Sequence, residues 1–388
     1  MPIRSAIDDL VPDARAWRHE IHQNPGLLYD VGDTARFVAD KLRAFGCDEV
    51  KTGIGRTGVV GVIHGAKGSS SRTIGLRADM DALPIEEETN LPYRSKIPGK
   101  MHACGHDGHT AMLLGAARRL AETRDFAGKA VVIFQPAEEG GAGAMAMIDD
   151  GLMDTFGVEE VYGMHNMPAL PVGAFKLRKG PLMASADEIT ITVEGRGGHA
   201  AMPHQGVDPL VVGAQIVTAL QTIASRNVDP LDACVVSVTQ FHAGTANNVI
   251  PQSAWLNGTV RTLKAATRDF IERRIHEIAA GLATAGGATA RVDYRRGYPT
   301  TVNHAAETEF AARVARKVAG HAHVDDEGAP VMGAEDFSFM LEARPGAFIF
   351  LGNGDTAKLH HPAYDFNDDA LAYGMSYWVE LVETALAP

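Results

Sequence analysis

Apolar positions along this chain fall into two textures, and the first alternates charged helical stripes with short, largely apolar runs. From about residue 5 to 23, Ile7, Leu10, Trp17 and Ile21 recur among charges, and Asn24-Pro25-Gly26 ends the helix they predict. A second helix is expected from about Asp33 to Ala44, stopped by Gly46. Apolar runs at Gly58 to His64 and Thr73 to Arg77 read as buried strands, with residues 68–71 as a turn between them. A helix at about Thr110 to Ala121, a strand at Ala130 to Gln135 and a helix near Ala142 to Asp150 follow. Such alternation predicts an α/β fold, a mainly parallel sheet with helices on both faces.

From about Ala186 the texture changes. Glu188 to Glu194 alternates as a half-buried strand, Pro209 to Ala224 is a strongly apolar helix, and Val235 to Phe241 and Ala254 to Leu263 are further strands. A helix at about Ala266 to Leu282 and a strand at Ala290 to Tyr294 complete a small α+β unit of helices on an antiparallel sheet. The helix at about Glu307 to Ala319 and the strand at Ala347 to Leu351 return to the first texture. The expected organisation is therefore residues 1–184 and 296–388 as one domain, with 185–295 inserted into it. A chain of 388 residues is long enough for two cores, since single cores stop growing at roughly 250 to 300 residues.

Composition narrows the partners. A formal charge of −12 disfavours nucleic acid and anionic lipid as general partners. The first ten residues lack the apolar core of a signal peptide, and no apolar run approaches the roughly 20 residues that span a bilayer, so the cytoplasm is the expected location. Three cysteines, Cys47, Cys104 and Cys234, are too few and too odd a set for a disulfide framework.

Chemistry concentrates around Met101-His-Ala-Cys-Gly-His-Asp-Gly-His109, which packs one thiol and three imidazoles directly before a helix. Both side-chain types bind metals such as Zn²⁺ or Mn²⁺. In an extended segment Cys104 and His106 project to one side, while Asp107 projects away, free to orient a ligand imidazole or to cap the helix. The apolar strand Val131-Val-Ile-Phe-Gln135 breaks at Pro136 and delivers Glu138 and Glu139, one suited to a metal and the other to moving protons. His165 and His360-His361 also follow apolar runs, and Asp79 and Asp81 end another. Ligands of open α/β sheets gather at that carboxyl edge.

These blocks resemble the amidohydrolase branch of the M20 metallopeptidases, which includes aminoacylase-like and hippurate hydrolases and hydrolases of indole-acetic acid conjugates. The resemblance runs through Arg77-Ala-Asp-Met-Asp-Ala-Leu-Pro84, His102 to His109, Gln135-Pro-Ala-Glu-Glu-Gly140, Gly163-Met-His-Asn166, Gly195-Arg-Gly-Gly-His199, Gly244 to Pro251, Gly258-Thr-Val-Arg261 and Leu359-His-His-Pro362. It implies two divalent ions (Zn, Mn, Co or Ni) on Cys104, His106, Glu139, His165 and His360, with Cys104 as the bridge. Glu138 would then be the general base and Asp81 a carboxylate supporting the site. His199 would help hold the substrate carbonyl across a homodimer interface made by the inserted domain, which would also act as a lid, and Asn248 and Arg261 would bind the substrate carboxylate. The implied activity is hydrolysis of N-acyl or N-aroyl amino acids to a carboxylic acid and a free amino acid. Gly26 stands where the family commonly has glutamate, and His361 competes with His360 for the last ligand position.

Other readings remain beside this one. A dipeptidase or carboxypeptidase of the same fold, or a catalytically silent metal-containing binding protein, would use the same residues. A cysteine hydrolase would make Cys104 the nucleophile and a neighbouring histidine its base. Gly53-Ile-Gly-Arg-Thr-Gly58 fits the dinucleotide pattern, yet Val59 to Ile63 after it reads as a strand where that pattern needs a helix.

Overall fold

The computed structural model describes residues 7–68 and 70–388. The start of the expected opening helix, and Ser69 within the expected turn, lie outside the described residues. The chain forms two compact units: the larger contains the chain up to Gly180, Val302–Ala329 and Asp336–Pro388, and the smaller contains Pro181–Thr301 and Pro330–Glu335.

The larger unit is built on an eight-stranded sheet. Thr73–Asp79 lies between Lys129–Gln135 and Glu160–Pro168, with Gly346–Gly354 next, and all four run parallel. Thr73–Asp79 is buried at every residue, as expected of a parallel strand covered by helices on both faces. Antiparallel neighbours finish one side: Gly58–His64 pairs with Lys129–Gln135, and Glu49–Ile54 pairs with Gly58–His64. The glycine-rich run from Gly53 to Gly58 is the turn of that hairpin, so a strand follows it and no helix opens there. Glu49–Ile54 escaped the sequence reading because its burial is slight and its pattern mostly polar.

The helix His106–Thr123 crosses the unit almost wholly buried. Its closest neighbours are Val11–Gln23 and the final helix Leu371–Ala385. The last of these was not foreseen: it is apolar nearly all round, and its packing against His106–Thr123 depends on paired glycines. A Cβ on Gly115 would stand 2.1 Å from Met375 Sδ, and one on Gly374 would stand 2.0 Å from Met112 Sδ. Each methionine fills the space the opposite glycine leaves.

The smaller unit has a four-stranded antiparallel sheet in the order Cys234–Ala243, Ser253–Thr262, Asp187–Glu194, Thr289–Arg296. Asp187–Glu194 alternates between buried and less buried positions, and Ile189, Ile191 and Val193 meet Val212, Ile216, Ile271 and Ile275 from the helices Pro209–Thr222 and Ala265–Ala285. Asp208 caps the first of these by accepting from Leu210 N–H at 2.9 Å. Among the described residues no helix is long and apolar enough to cross a membrane.

Candidate metal centre

The parallel strands of the larger unit carry polar side chains to their carboxyl ends. After Lys129–Gln135 the chain breaks at Pro136 and turns through Ala137, whose φ of 56° is left-handed. Gly143 makes the turn possible, because a Cβ there would lie 1.6 Å from the carbonyl oxygen of Pro136. Asp81, 1% exposed at the end of the neighbouring strand's extension, holds the resulting loop. Its carboxylate accepts from the N–H groups of Glu138 at 2.9 Å and Glu139 at 3.1 Å.

Opposite these glutamates, Gly105 takes φ 88° and the helix begins at His106, not at about Thr110 as the sequence suggested. The left-handed glycine folds the Cys104 segment straight into the first helical turn. His106 then donates from Nδ1 to the carbonyl of Asp81 at 2.8 Å, and its Nε2 is buried without a hydrogen-bond partner. His165, inside the strand Glu160–Pro168, donates from Nδ1 to the carbonyl of Asn166 at 2.6 Å and places Nε2 3.4 Å from Cys104 Sγ. Holding Nδ1–H in this way fixes the tautomer and leaves the Nε2 lone pair of each ring to ligate.

His360 and His361 separate cleanly. His360 adopts a left-handed φ of 64°, anchors its N–H on the carbonyl of Ala103 at 2.7 Å, and brings Nε2 within 3.3 Å of Glu139 Oε1. That approach lacks the alignment of a hydrogen bond, so Glu139 Oε1 is also buried and unpartnered. His361 turns elsewhere and accepts from Ala363 N–H at 3.0 Å.

Ligand atoms of Cys104, His106 and His165, of Cys104, Glu139 and His360, and of His106, Glu138 and Glu139 each lie within 4.8 Å of one another. Cys104 is common to the first two groups. Burial, with Glu139 and Glu138 adding to it, pushes the Cys104 thiol well above its ordinary range. Burial also draws His165 well down, helped by His109, so its ring is neutral. His106 resists burial because Asp79 and the Asp81 contacts outweigh it and push its imidazole up to about 10. Without a cation the cluster therefore holds protons on His106 and Cys104. Divalent ions displace protons of this kind on binding, and they accept the vacant Nε2 and Oε1 atoms as partners. The donor set, one thiol, three imidazoles and one carboxylate, fits a pair of borderline ions.

Several neighbours take positions that the sequence did not reveal. Asp107 neither orients His106 nor caps its helix; its carboxylate accepts from His22 Nδ1 at 2.9 Å and Arg18 Nη1 at 3.0 Å, and all three side chains are buried. Arg18 and His22 share the inward face of Val11–Gln23 with Ala14, Trp17 and Ile21, a spacing that could have flagged them. Asp79 receives Nδ1–H of His109 at 2.7 Å and pairs with Arg77 at 2.7 Å. In the smaller unit, His199 ends the short strand Gly198–His199, which pairs with Val249–Ile250; Asn248 lies in the turn just before that partner strand, both side chains are exposed, and Arg261 is half-buried on Ser253–Thr262.

Known proteins similar to this chain in sequence and in fold are numerous. The chain is 46% identical over 373 residues to a hippurate hydrolase of Campylobacter jejuni, covering 96% of each chain. It is 38% identical to an N-acetylcysteine deacetylase of Bacillus subtilis, covering 95% of this chain and 96% of that one. The crystal structure of the Bacillus subtilis YXEP protein, described as a dinuclear metal binding peptidase of the M20 family, is 34% identical, with a TM-score of 0.86 over 98% of this chain and 99% of that one. The profile of peptidase family M20/M25/M40 matches residues 75–384, the span that carries Asp81, Cys104, His106, Glu138, Glu139, His165 and His360, and the chain belongs to that family.

Proposed function

We propose that this protein is a metal-dependent amidohydrolase that cleaves the amide of N-acyl or N-aroyl amino acids, releasing a carboxylic acid and a free amino acid. The observation that carries the reading is the convergence of Cys104, His106, Glu139, His165 and His360 beside Glu138, with ligand atoms left vacant. Similarity to a hippurate hydrolase and to an N-acetylcysteine deacetylase supports the substrate class. When bound, two divalent ions on these five residues would polarise the amide carbonyl and make water acidic enough to react near neutral pH.

The protein's own groups then handle position and protons. Glu138, 6% exposed, takes the proton of the attacking water and returns it to the leaving nitrogen, while Asp81 keeps its backbone in place. The guanidinium of Arg261 and the amide of Asn248 bind the substrate carboxylate, a task suited to arginine's two parallel donors. His199 of the partner subunit steadies the oxyanion that develops on the carbonyl oxygen. A homodimer through the inserted unit is supported by the exposed Met202, Leu210, Val211, Phe241, Val249 and Trp255 on it. We place the protein in the cytoplasm, acting on small molecules.

The test is a hydrolysis screen of N-acetyl, N-benzoyl and indole-acetyl amino acids and dipeptides, before and after exhaustive chelation, with Zn²⁺, Mn²⁺, Co²⁺ or Ni²⁺ restored. Turnover of acyl amino acids that disappears on chelation and returns with metal is the expected result. Full activity after complete metal removal would leave Cys104 as a nucleophile instead.

A further inference from the structure

Three of the four segments that carry proposed ligands meet at one buried side chain. Asn166 is 0% exposed and uses every polar group it has. Its Nδ2 donates to the carbonyl of Cys104 at 2.6 Å, and its Oδ1 accepts from the hydroxyl of Tyr364 at 2.7 Å. Its backbone N–H donates to His109 Nε2 at 2.9 Å, and its carbonyl accepts from His165 Nδ1 at 2.6 Å. Tyr364 belongs to the loop that presents His360 and is itself wholly buried. His109 accepts because Asp79 already holds its Nδ1–H, and Arg77 holds Asp79.

The contact is tight enough to constrain the sequence. A Cβ on Gly105 would stand 2.4 Å from Asn166 Nδ2 and 2.5 Å from the Tyr364 hydroxyl, so only glycine admits both between Cys104 and His106. A buried amide with all its partners in place is rigid, because any displacement strands a donor or acceptor away from water. Asn166 lies next to His165 in sequence and grips the backbone of Cys104 in space. The separation of thiol and imidazole, 3.4 Å between Sγ and Nε2, is therefore spanned by this one residue.

We propose that Asn166 is a positioning residue that sets the geometry of Cys104 against His165, with Tyr364 tying the His360 loop to the same point. The inference rests on reading Cys104 and His165 as metal ligands. Groups that hold metal ligands in place are worth about 10- to 100-fold in metal affinity.

The experiment compares the full-length wild type with Asn166→Val, which removes the side-chain contacts to Cys104, His109 and Tyr364, and Tyr364→Phe, which removes only the hydroxyl. Cobalt(II) affinity is measured by competition with a chelator, the thiolate-to-cobalt absorption band is recorded, and the melting temperature of the metal-free protein is taken. The expected result is cobalt binding weakened about 10- to 100-fold in Asn166→Val, less in Tyr364→Phe, with the band shifted in both. If both variants melt lower yet bind cobalt with unchanged affinity and band, Asn166 is only structural and the inference is overturned. Should Asn166→Val not fold, Tyr364→Phe decides alone by the same criterion. A wild type that binds cobalt without any thiolate band removes the ligand reading and the inference together, whereas a normal wild-type band that neither variant alters removes the inference only.

Discussion

The buried pair behind the metal loop makes a prediction about pH that can be worked from the structure. His22 has no exposed surface; its Nδ1 is 2.9 Å from Asp107, its Nε2 is 3.3 Å from Glu87, and Arg18 shares the same Asp107 oxygen. Burial pulls the imidazolium down, but Asp107 and Glu87 outweigh it and push His22 up to about 9. An unfolded histidine titrates at about 6.5. Because the folded value is the higher one, the stabilisation is fully present below pH 6.5 and is lost as pH rises through about 9. The gap of about 2.5, at 1.36 kcal/mol for each pKa step, comes to about 3 kcal/mol. Asp107, held well below its ordinary value by His22 and Arg18 against the burial that opposes it, stays charged throughout this window. The perturbation is His22→Gln, which removes the titration. Urea unfolding of the metal-free wild type and variant at about pH 6, 7.5 and 9.5, followed by the fluorescence of Trp17, Trp255 and Trp378, measures the difference in stability. The advantage of the wild type should shrink by about 3 kcal/mol between the lowest and highest pH. A difference that stays constant to about 0.5 kcal/mol, or grows with pH, would refute a charged His22 in the folded protein.

Three further substitutions probe the centre itself. Glu138→Gln should keep its metal content and fold while lowering kcat by a factor of roughly a hundred to ten thousand, the usual worth of general acid-base catalysis; a variant turning over at the wild-type rate would show that another group moves the proton. His360→Ala should lose one of two bound ions by elemental analysis while His361→Ala keeps both, since only His360 reaches Glu139. The reverse pattern would mean that the loop rearranges when metal binds.

Local signals carried much of the fold. Thr73–Asp79, Lys129–Gln135 and Gly346–Gly354 were legible because a parallel strand covered on both faces is apolar through most of its length, with polar residues kept mainly to its ends. Asp187–Glu194 was legible for the opposite reason, since only one face is covered and the pattern alternates. Leu371–Ala385 was not, because a helix buried nearly all round shows no stripe to set against the periodicity of a strand. The short strands Phe175–Lys176 and Val324–Asp325 exist only through pairing with chain far away in sequence.

The same division runs through the centre. By itself the sequence determined which donors are available: the density of thiol and imidazole between His102 and His109, and the pair of glutamates after a buried strand, are local facts that need no fold to be seen. Tertiary structure alone decided which atoms are free. His106 and His109 are three residues apart on one helix, yet the first keeps Nε2 vacant while the second is committed to Asp79 and Asn166. His360 and His361 are adjacent, and a left-handed φ at the first sends only that ring toward Glu139. Asp107, in the middle of the motif, turns to Arg18 and His22 on another helix. The physical reason is that a side chain's identity fixes what it can bind, whereas the partners already satisfying its hydrogen bonds, which come from distant segments, decide what it is left to do.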